Sequence, residues 1–210
     1  MKMNEIKLLE SEFLTDEDEI IKWVIDNFKN NITQMPIRPD CLTVKDGIVS
    51  CSVSLSVTAV NLKELKVQFG TGYSTFRMID CGLTSLKGFP RVMHGVESWV
   101  NCSTNKELTS LEGITRSAYE IVFTGTGIKS LKNIHKQIDE CDRIFISDVE
   151  RDMLGVILIP GLNHLKYKDK NVNTTKAVNI ISKYLGKGKA GVLEAQTELE
   201  ESDLEEFASL

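Results

Sequence analysis

Large apolar residues return along the middle of the chain at one spacing, with polar and turn-forming residues between them. With h for a large apolar residue, the pattern h-x-h-x4-L-x2-L fits Leu55/Val57/Leu62/Leu65 and Phe76/Met78/Leu83/Leu86. With one residue inserted it fits Val100/Cys102/Leu108/Leu111, and without the insertion Ile121/Phe123/Ile128/Leu131. The last anchors are 21, 25 and 20 residues apart. A fifth, degenerate copy begins at Ile144/Ile146, with Leu162 and Leu165 closing it. The h-x-h element has period two, so both apolar side chains point to one face of a short strand. The gap after it holds Asp80-Cys81-Gly82, Ser103-Thr104-Asn105 or Thr124-Gly125-Thr126-Gly127, residues that let the chain bend through left-handed conformations. The L-x2-L pair then turns two leucines inward. No single unit buries its apolar side, whereas stacked units share one core. The pattern predicts an α+β chain built on a short leucine-rich-repeat-like β-solenoid over residues 50–168.

The flanks read as caps. Thr15-Asp16-Glu17-Asp18 offers an N-cap threonine and acids for a first helical turn. Ile20, Ile21, Trp23, Val24, Ile25 and Phe28 follow at near-helical spacing, which predicts an amphipathic helix over 16–30 ended by Pro36 and Pro39. Asp46-Gly47 between Leu42-Thr-Val and a strand from Ile48 is a hairpin signature. Residues 1–14 form a flexible leader and 15–60 the helix-and-hairpin cap. Beyond the solenoid, Asn173/Thr174 caps a helix carrying Ala177, Val178, Ile180, Ile181, Tyr184 and Leu185, stopped by Gly186. A last helix runs from about Gly191, with Ser202-Asp-Leu-Glu205 as a capping box. Together these make a helical, acidic tail segment over 172–210.

Charge changes this picture little. The net −5 divides into −4 over residues 1–40, +6 over 41–189 and −7 over 190–210. A basic centre suits nucleic acid, but its lysines and arginines are spread along the repeats, so nucleic acid is disfavoured as a partner. No apolar run reaches membrane-spanning length, and Glu5, Glu10 and Glu12 interrupt any secretory h-region. Cys41, Cys51, Cys81, Cys102 and Cys141 are odd in number and form no C-x-x-C pair, and His94, His135 and His164 are as scattered. That spacing predicts reduced thiols, some in the core, and neither a zinc site nor any cofactor.

Leu83-Thr-Ser-Leu-Lys-Gly-Phe-Pro90 and Leu108-Thr-Ser-Leu-Glu-Gly-Ile114 resemble the "LTSLEG-x-P" repeats of leucine-rich-repeat-like proteins of large T4-type tailed phages. Leu65-Lys-Val-Gln-Phe-Gly70 resembles the entry to those repeats, and Lys183–Lys189, Leu193–Gln196 and Leu204–Leu210 resemble their shared tail. Thr115 and His135 stand where the motif has proline, and the repeats are few. The resemblance implies a solenoid of phage origin and carries no activity. The N-terminal Met1–Glu10 also resembles leaders that direct proteins into the heads of such phages. These leaders are cut after Leu/Ile-x-Glu, which makes Leu8 and Glu10 a processing motif, against the alternative of a frayed tail. Leu62-Lys-Glu64, Leu199-Glu-Glu201 and Leu204-Glu-Glu206 match the same short motif.

Catalytic chemistry finds no footing. Gly186-Lys-Gly-Lys-Ala-Gly191 lacks the order of a phosphate loop and reads as a helix-ending turn. No nucleophile elbow appears. The outward positions of the strands say more: Ser54/Ser56/Thr58, Thr75/Arg77/Ile79, Trp99/Asn101/Ser103, Glu120/Val122/Thr124 and Arg143/Phe145/Ser147. Arg77, Ile79, Trp99, Asn101, Val122, Arg143 and Phe145 form the candidate partner-binding patch, with Arg77 and Val122 expected beside Trp99. Trp and Arg are the residues most enriched in binding hot spots. The opposing reading has a terminal helix packed over this patch, or Trp99 tilted into a repeat boundary. The chain is therefore expected to be no enzyme but a protein-interaction module acting on a host or phage protein in the host cytoplasm. The alternative is a head-internal virion protein whose leader is removed.

Overall fold

The computed structural model describes residues 13–28, 37–168 and 170–210. Helix α1 spans Glu17–Phe28 and buries Ile20, Val24 and Phe28 at four-residue spacing. Its cap is Asp16 rather than Thr15: the Asp16 carboxylate accepts the Glu19 amide at 3.0 Å, and a carboxylate also answers the positive end of the helix. The hairpin forms as expected, with β1 (Leu42–Lys45) antiparallel to β2 (Ile48–Cys51). Asp46 and Gly47 both have positive φ, at 52° and 73°, as a two-residue primed turn requires.

The solenoid is a six-stranded, wholly parallel sheet in chain order. Its strands are β3 (Leu55–Thr58), β5 (Thr71–Ile79), β6 (Val92–Asn101), β7 (Ser117–Phe123), β8 (Glu140–Ile146) and β9 (His164–Tyr167), while the short β4 (Gln68–Phe69) joins β2. One inward row runs Leu55, Phe76, Val100, Ile121, Ile144 and Leu165, each in register with the next. The leucine corner is buried at Leu83/Leu86, Leu108/Leu111 and Ile128/Leu131. Leu62 departs from this pattern and is only half-buried, since the first turn has a stacked neighbour on one side only. A third wall is aromatic. Phe69, Phe76 and Phe89 stack at 5.1 and 5.0 Å between centroids, and Phe28 of α1 joins at 6.1 Å from Phe69. Leu162 and Leu165 do not close the fifth repeat as a leucine pair. Leu165 lies on β9 opposite Ile144 and starts a sixth strand.

Strands β3 and β5 to β8 leave the sheet through the same backbone shape. Ala59, Asp80, Thr104, Gly125 and Asp148 all stand two residues past the second inward residue, with φ between 54° and 67°. These five residues form a column of left-handed corners down the solenoid. One residue further on, Asn105 is fully buried. Its Oδ1 accepts the amides of Cys81 and Leu83 at 2.9 and 3.0 Å. Its Nδ2 donates to the carbonyls of Met78 and Cys102, both at 2.8 Å. One side chain thus satisfies the turns of two repeats, which buried backbone groups require.

The 25-residue step has a local cause. Tyr73 pairs with His94 and Thr75 with Trp99, so Ser74 alone faces the four residues Gly95–Ser98. Those three extra residues, with the one inserted ahead of Leu108, account for the four by which this step exceeds 21. The protrusion leaves the inward rows on either side intact.

At the far end, α2 (Val172–Ser182) packs on β9, and α3 (Gly188–Glu200) packs on the 3₁₀ turn Leu154–Leu158. The α2 cap is Asn171, two residues earlier than expected, its side chain accepting the Asn173 and Thr174 amides. α3 begins at Gly188 rather than about Gly191, after the left-handed Gly186. Ser202 and Glu205 make no capping box. Asp203 is left-handed at φ 56°. The Leu204 amide reaches back to the Leu199 carbonyl, and the Asp203 amide to that of Glu200. This is a Schellman closure that buries Leu199 against Leu204, and a stop cannot also serve as a start. The tail then docks. The amides of Asp152, Met153 and Leu154 donate to the carbonyls of Glu206, Phe207 and Ser209, and Phe207 is buried. No helix among the described residues is long and apolar enough to cross a membrane.

Candidate outer-face binding surface

The parallel register sorts the outward residues into rows across the strands. One row reads Thr75, Trp99, Glu120, Arg143 and His164, and the next reads Ser56, Arg77, Asn101, Val122, Phe145 and Lys166. Trp99 therefore has Thr75 and Glu120 beside it, not Arg77 and Val122, which flank Asn101 one row on. Trp99 stands one residue before the inward Val100, as Thr75 does before Phe76 and Glu120 before Ile121, whereas Arg77 and Val122 lie between inward residues as Asn101 does. Arg77 still reaches Trp99 diagonally, its guanidinium carbon 5.9 Å from the ring centroid.

The rows differ in depth. Asn101 and Val122 are only 8 % and 9 % exposed, so they form a floor rather than the contact surface expected of them. Asn101 turns its Oδ1 to the Ser103 amide at 3.0 Å. Trp99, Arg77, Ile79, Phe145 and Arg143 are half-buried and form the walls. Trp99 belongs to neither the core nor the apolar residues packed against it. The helices lie at the ends of the stack, α1 on β1 and β3 and α2 on β9. Neither packs over the middle of the face.

Cations sit on aromatic rings across this face. Arg77 covers Trp99, Arg143 lies 4.9 Å from the Tyr119 centroid, and Lys166 lies 5.0 Å from that of Phe145. Such pairs hold both partners in place and keep the ring edge available. Arg77 is the least satisfied of the three cations. Its Nε is buried with no hydrogen-bond partner, and no carboxylate lies within 4.0 Å among the described residues. Arg143, by contrast, donates to Asp142 at 3.1 Å. The Asp142 carboxyl is held below its ordinary range by the hydrogen bond from Asn163 and then by Arg143. Glu97, Trp99, Tyr119, Glu120 and Arg143 line an open depression of about 270 Å³. Among the described residues, Glu97 and Glu120 have no ion pair.

Beyond the second row the face turns polar: Thr124 Oγ1 meets Ser103 Oγ at 3.1 Å, and the Gly125 amide donates to Ser147 Oγ at 2.6 Å. The buried thiols behind the sheet are free. Burial pushes Cys81 up to about 11, and Cys102 and Cys141 up to about 12, so they pack as neutral side chains. Among the described residues no group of three metal-ligating side chains converges. Leu8 and Glu10 lie outside the described residues.

Tyr119, Glu97 and Lys166 belong to this surface, although strict alternation does not find them. Ala118 and Ile121 both point inward, so two outward residues stand between them. Glu97 arrives with the protrusion, and Lys166 with a strand absent from the repeat pattern. The run Ala118-Tyr119-Glu120-Ile121 carries a signal, since an apolar pair three apart inside a strand implies a local bend. No protein-family model, curated protein or solved structure matches this chain.

Proposed function

We propose that the chain is a phage-encoded protein-interaction module that binds a host or phage protein through the outer face of its sheet, centred on Trp99 and Arg77. One observation carries this reading: a tryptophan outside the core is held by a guanidinium whose Nε is buried without a hydrogen-bond partner. A buried donor left unsatisfied costs about 1–3 kcal/mol, so the Arg77 side chain has a free-energy reason to shift its guanidinium onto a carbonyl or carboxylate that a partner brings. Large, rigid rings beside arginine offer contact area at small entropic cost. The test pairs Trp99→Ala with wild type in thermal melts and in affinity capture from phage-infected cells. A normal melt with loss of a specific captured protein supports the reading. A large loss of stability, or an unchanged set of captured proteins, overturns it.

A second reading is a head-internal virion protein. The Leu14 amide is bonded to the Lys66 carbonyl at 2.8 Å, so a cut after Glu10 would leave this tie to the solenoid in place. Protein from mature virions would then begin at Ser11. Intact Met1–Glu10 there removes the processing idea, and absence from virions favours the first reading.

A further inference from the structure

Cations scattered in the sequence meet at one corner of the solenoid, away from the outer face. The repeats Leu83–Arg91 and Leu108–Arg116 run in parallel: leucine pair, left-handed glycine, apolar residue, arginine. Stacking places them one above the other, the Arg91 amide bonded to the Gly70 carbonyl at 3.1 Å and the Arg116 amide to the Arg91 carbonyl at 2.8 Å. Lys136 of the next turn and Lys87 close round the same space, an open depression of about 570 Å³. Its floor includes Gly88 and Gly113, at φ 88° and 87°. A Cβ on Gly88 would lie 2.5 Å from the Val67 carbonyl oxygen, and one on Gly113 2.7 Å from the Leu86 carbonyl carbon. Side chains are therefore barred from the floor, and the cations stand over bare backbone.

We propose that this corner is a binding site for a small phosphate-bearing ligand. Among the described residues, Arg91 and Lys136 bring two positive charges to the depression beyond the Arg116–Asp139 pair, against the one carboxylate of Glu112. Arg116 shows the recognition geometry already, holding Asp139 through Nε and NH2 at 2.8 Å each. A guanidinium takes phosphate in the same forked manner. Arg91 and Lys136 have no carboxylate within 4.0 Å among the described residues, so their charge is available. The volume falls among small-molecule sites, about 300–1,000 Å³. A nucleic-acid strand fits less well, because the row of arginines ends on Asp139, which would repel a continuing backbone.

The experiment titrates the intact chain with inorganic phosphate, pyrophosphate, sulfate and single-stranded oligothymidylate, read by the amide shifts of Gly88 and Gly113. Pyrophosphate should move both amides at millimolar concentration or below, more tightly than phosphate or sulfate. Arg91→Gln and Lys136→Gln should each weaken it about tenfold, as loss of one charged hydrogen bond implies. Asp139→Asn, which releases Arg116, should tighten it. Both cations are exposed, so their variants should melt as wild type does, and Arg77→Gln on the outer face should bind normally. Unmoved glycine amides, equal affinity for sulfate, or variants that bind like wild type would overturn the proposal. Oligothymidylate binding more tightly than pyrophosphate, with a steep salt dependence, would overturn it in favour of a polynucleotide.

Discussion

Along β5, Phe76 and Met78 point inward while Thr75, Arg77 and Ile79 point outward, all within five residues. The inward side is governed by volume and repetition. Phe76, Val100, Ile121 and Ile144 occupy one row although they differ in shape, because each needs only to be apolar and to touch the turns above and below. The outward side has no such tolerance. Thr75, Trp99, Glu120 and Arg143 share a row and no chemistry. A row that repeats is a scaffold. A row that does not repeat is where a partner can be distinguished, so substitutions on the two faces should differ in kind as well as in size.

The largest effect is expected where the inward side stops being apolar. Asn105→Ala would leave the Cys81 and Leu83 amides and the Met78 and Cys102 carbonyls unpaired in the core. At about 1–3 kcal/mol for a buried group left unsatisfied, with part of the loss relieved by relaxation, chemical denaturation should record a loss of about 4 kcal/mol. Asn105→Asp should fail almost as badly, since it keeps the acceptor and loses the donor. A loss under about 1 kcal/mol would show that the turns hold without this residue.

Next come Leu86, Leu111 and Leu131, buried at equivalent positions in three successive turns. Each Leu→Ala change should cost about 2–5 kcal/mol by leaving a cavity. Leu62→Ala, at the half-buried position of the first turn, should cost less than any of the three. Equal losses at all four would erase the distinction between end and interior turns.

His135 probes the corner behind both faces. Its Nδ1 is buried without a hydrogen-bond partner, and burial, then the charge of Lys136, lowers its pKa below the ordinary 6.5. The folded chain binds this proton less readily than the unfolded chain does. The contribution is therefore present above 6.5 and is lost as pH falls through the lowered value. Thermal midpoints should drop on acidification across that window, and His135→Gln should flatten the drop. An identical pH profile in the variant would remove His135 as the cause.

Trp99→Ala should have the smallest effect on the fold, a fall in midpoint below about 4 °C. A fall beyond about 8 °C would make Trp99 a core residue and collapse the comparison.

Much of the scaffold was legible because the inward face repeats. The strands β3 and β5–β8, the Asp46-Gly47 turn and both end caps follow from periodicity and turn chemistry. The helix caps missed by a residue or two at Thr15 and Asn173 are those where neighbouring Asp16 and Asn171 could serve equally well. Ser202-Asp-Leu-Glu205 misled because a helix stop with a left-handed aspartate carries the same letters as a helix start. The outer face was legible as a set of residues and not as a surface. The rows depend on register: Trp99 precedes the inward Val100 and so meets Thr75 and Glu120, while Arg77 and Val122 flank Asn101. The basic corner escaped for the same reason: Arg91 and Arg116 are distant in the chain and become neighbours only by stacking.

The column of left-handed corners has a use in engineering. Ala59, Asp80, Thr104, Gly125 and Asp148 share a backbone shape although four residue types occupy it, and an L-residue in that shape is strained by about 1–2 kcal/mol. A library offering only Gly, Asn and Asp at Ala59 and Thr104 would relieve that strain without altering the inward apolar rows or the Trp99 surface. Stabilised variants chosen this way would tolerate drastic redesign of the outer face, turning the solenoid into a platform for surfaces it did not evolve to carry.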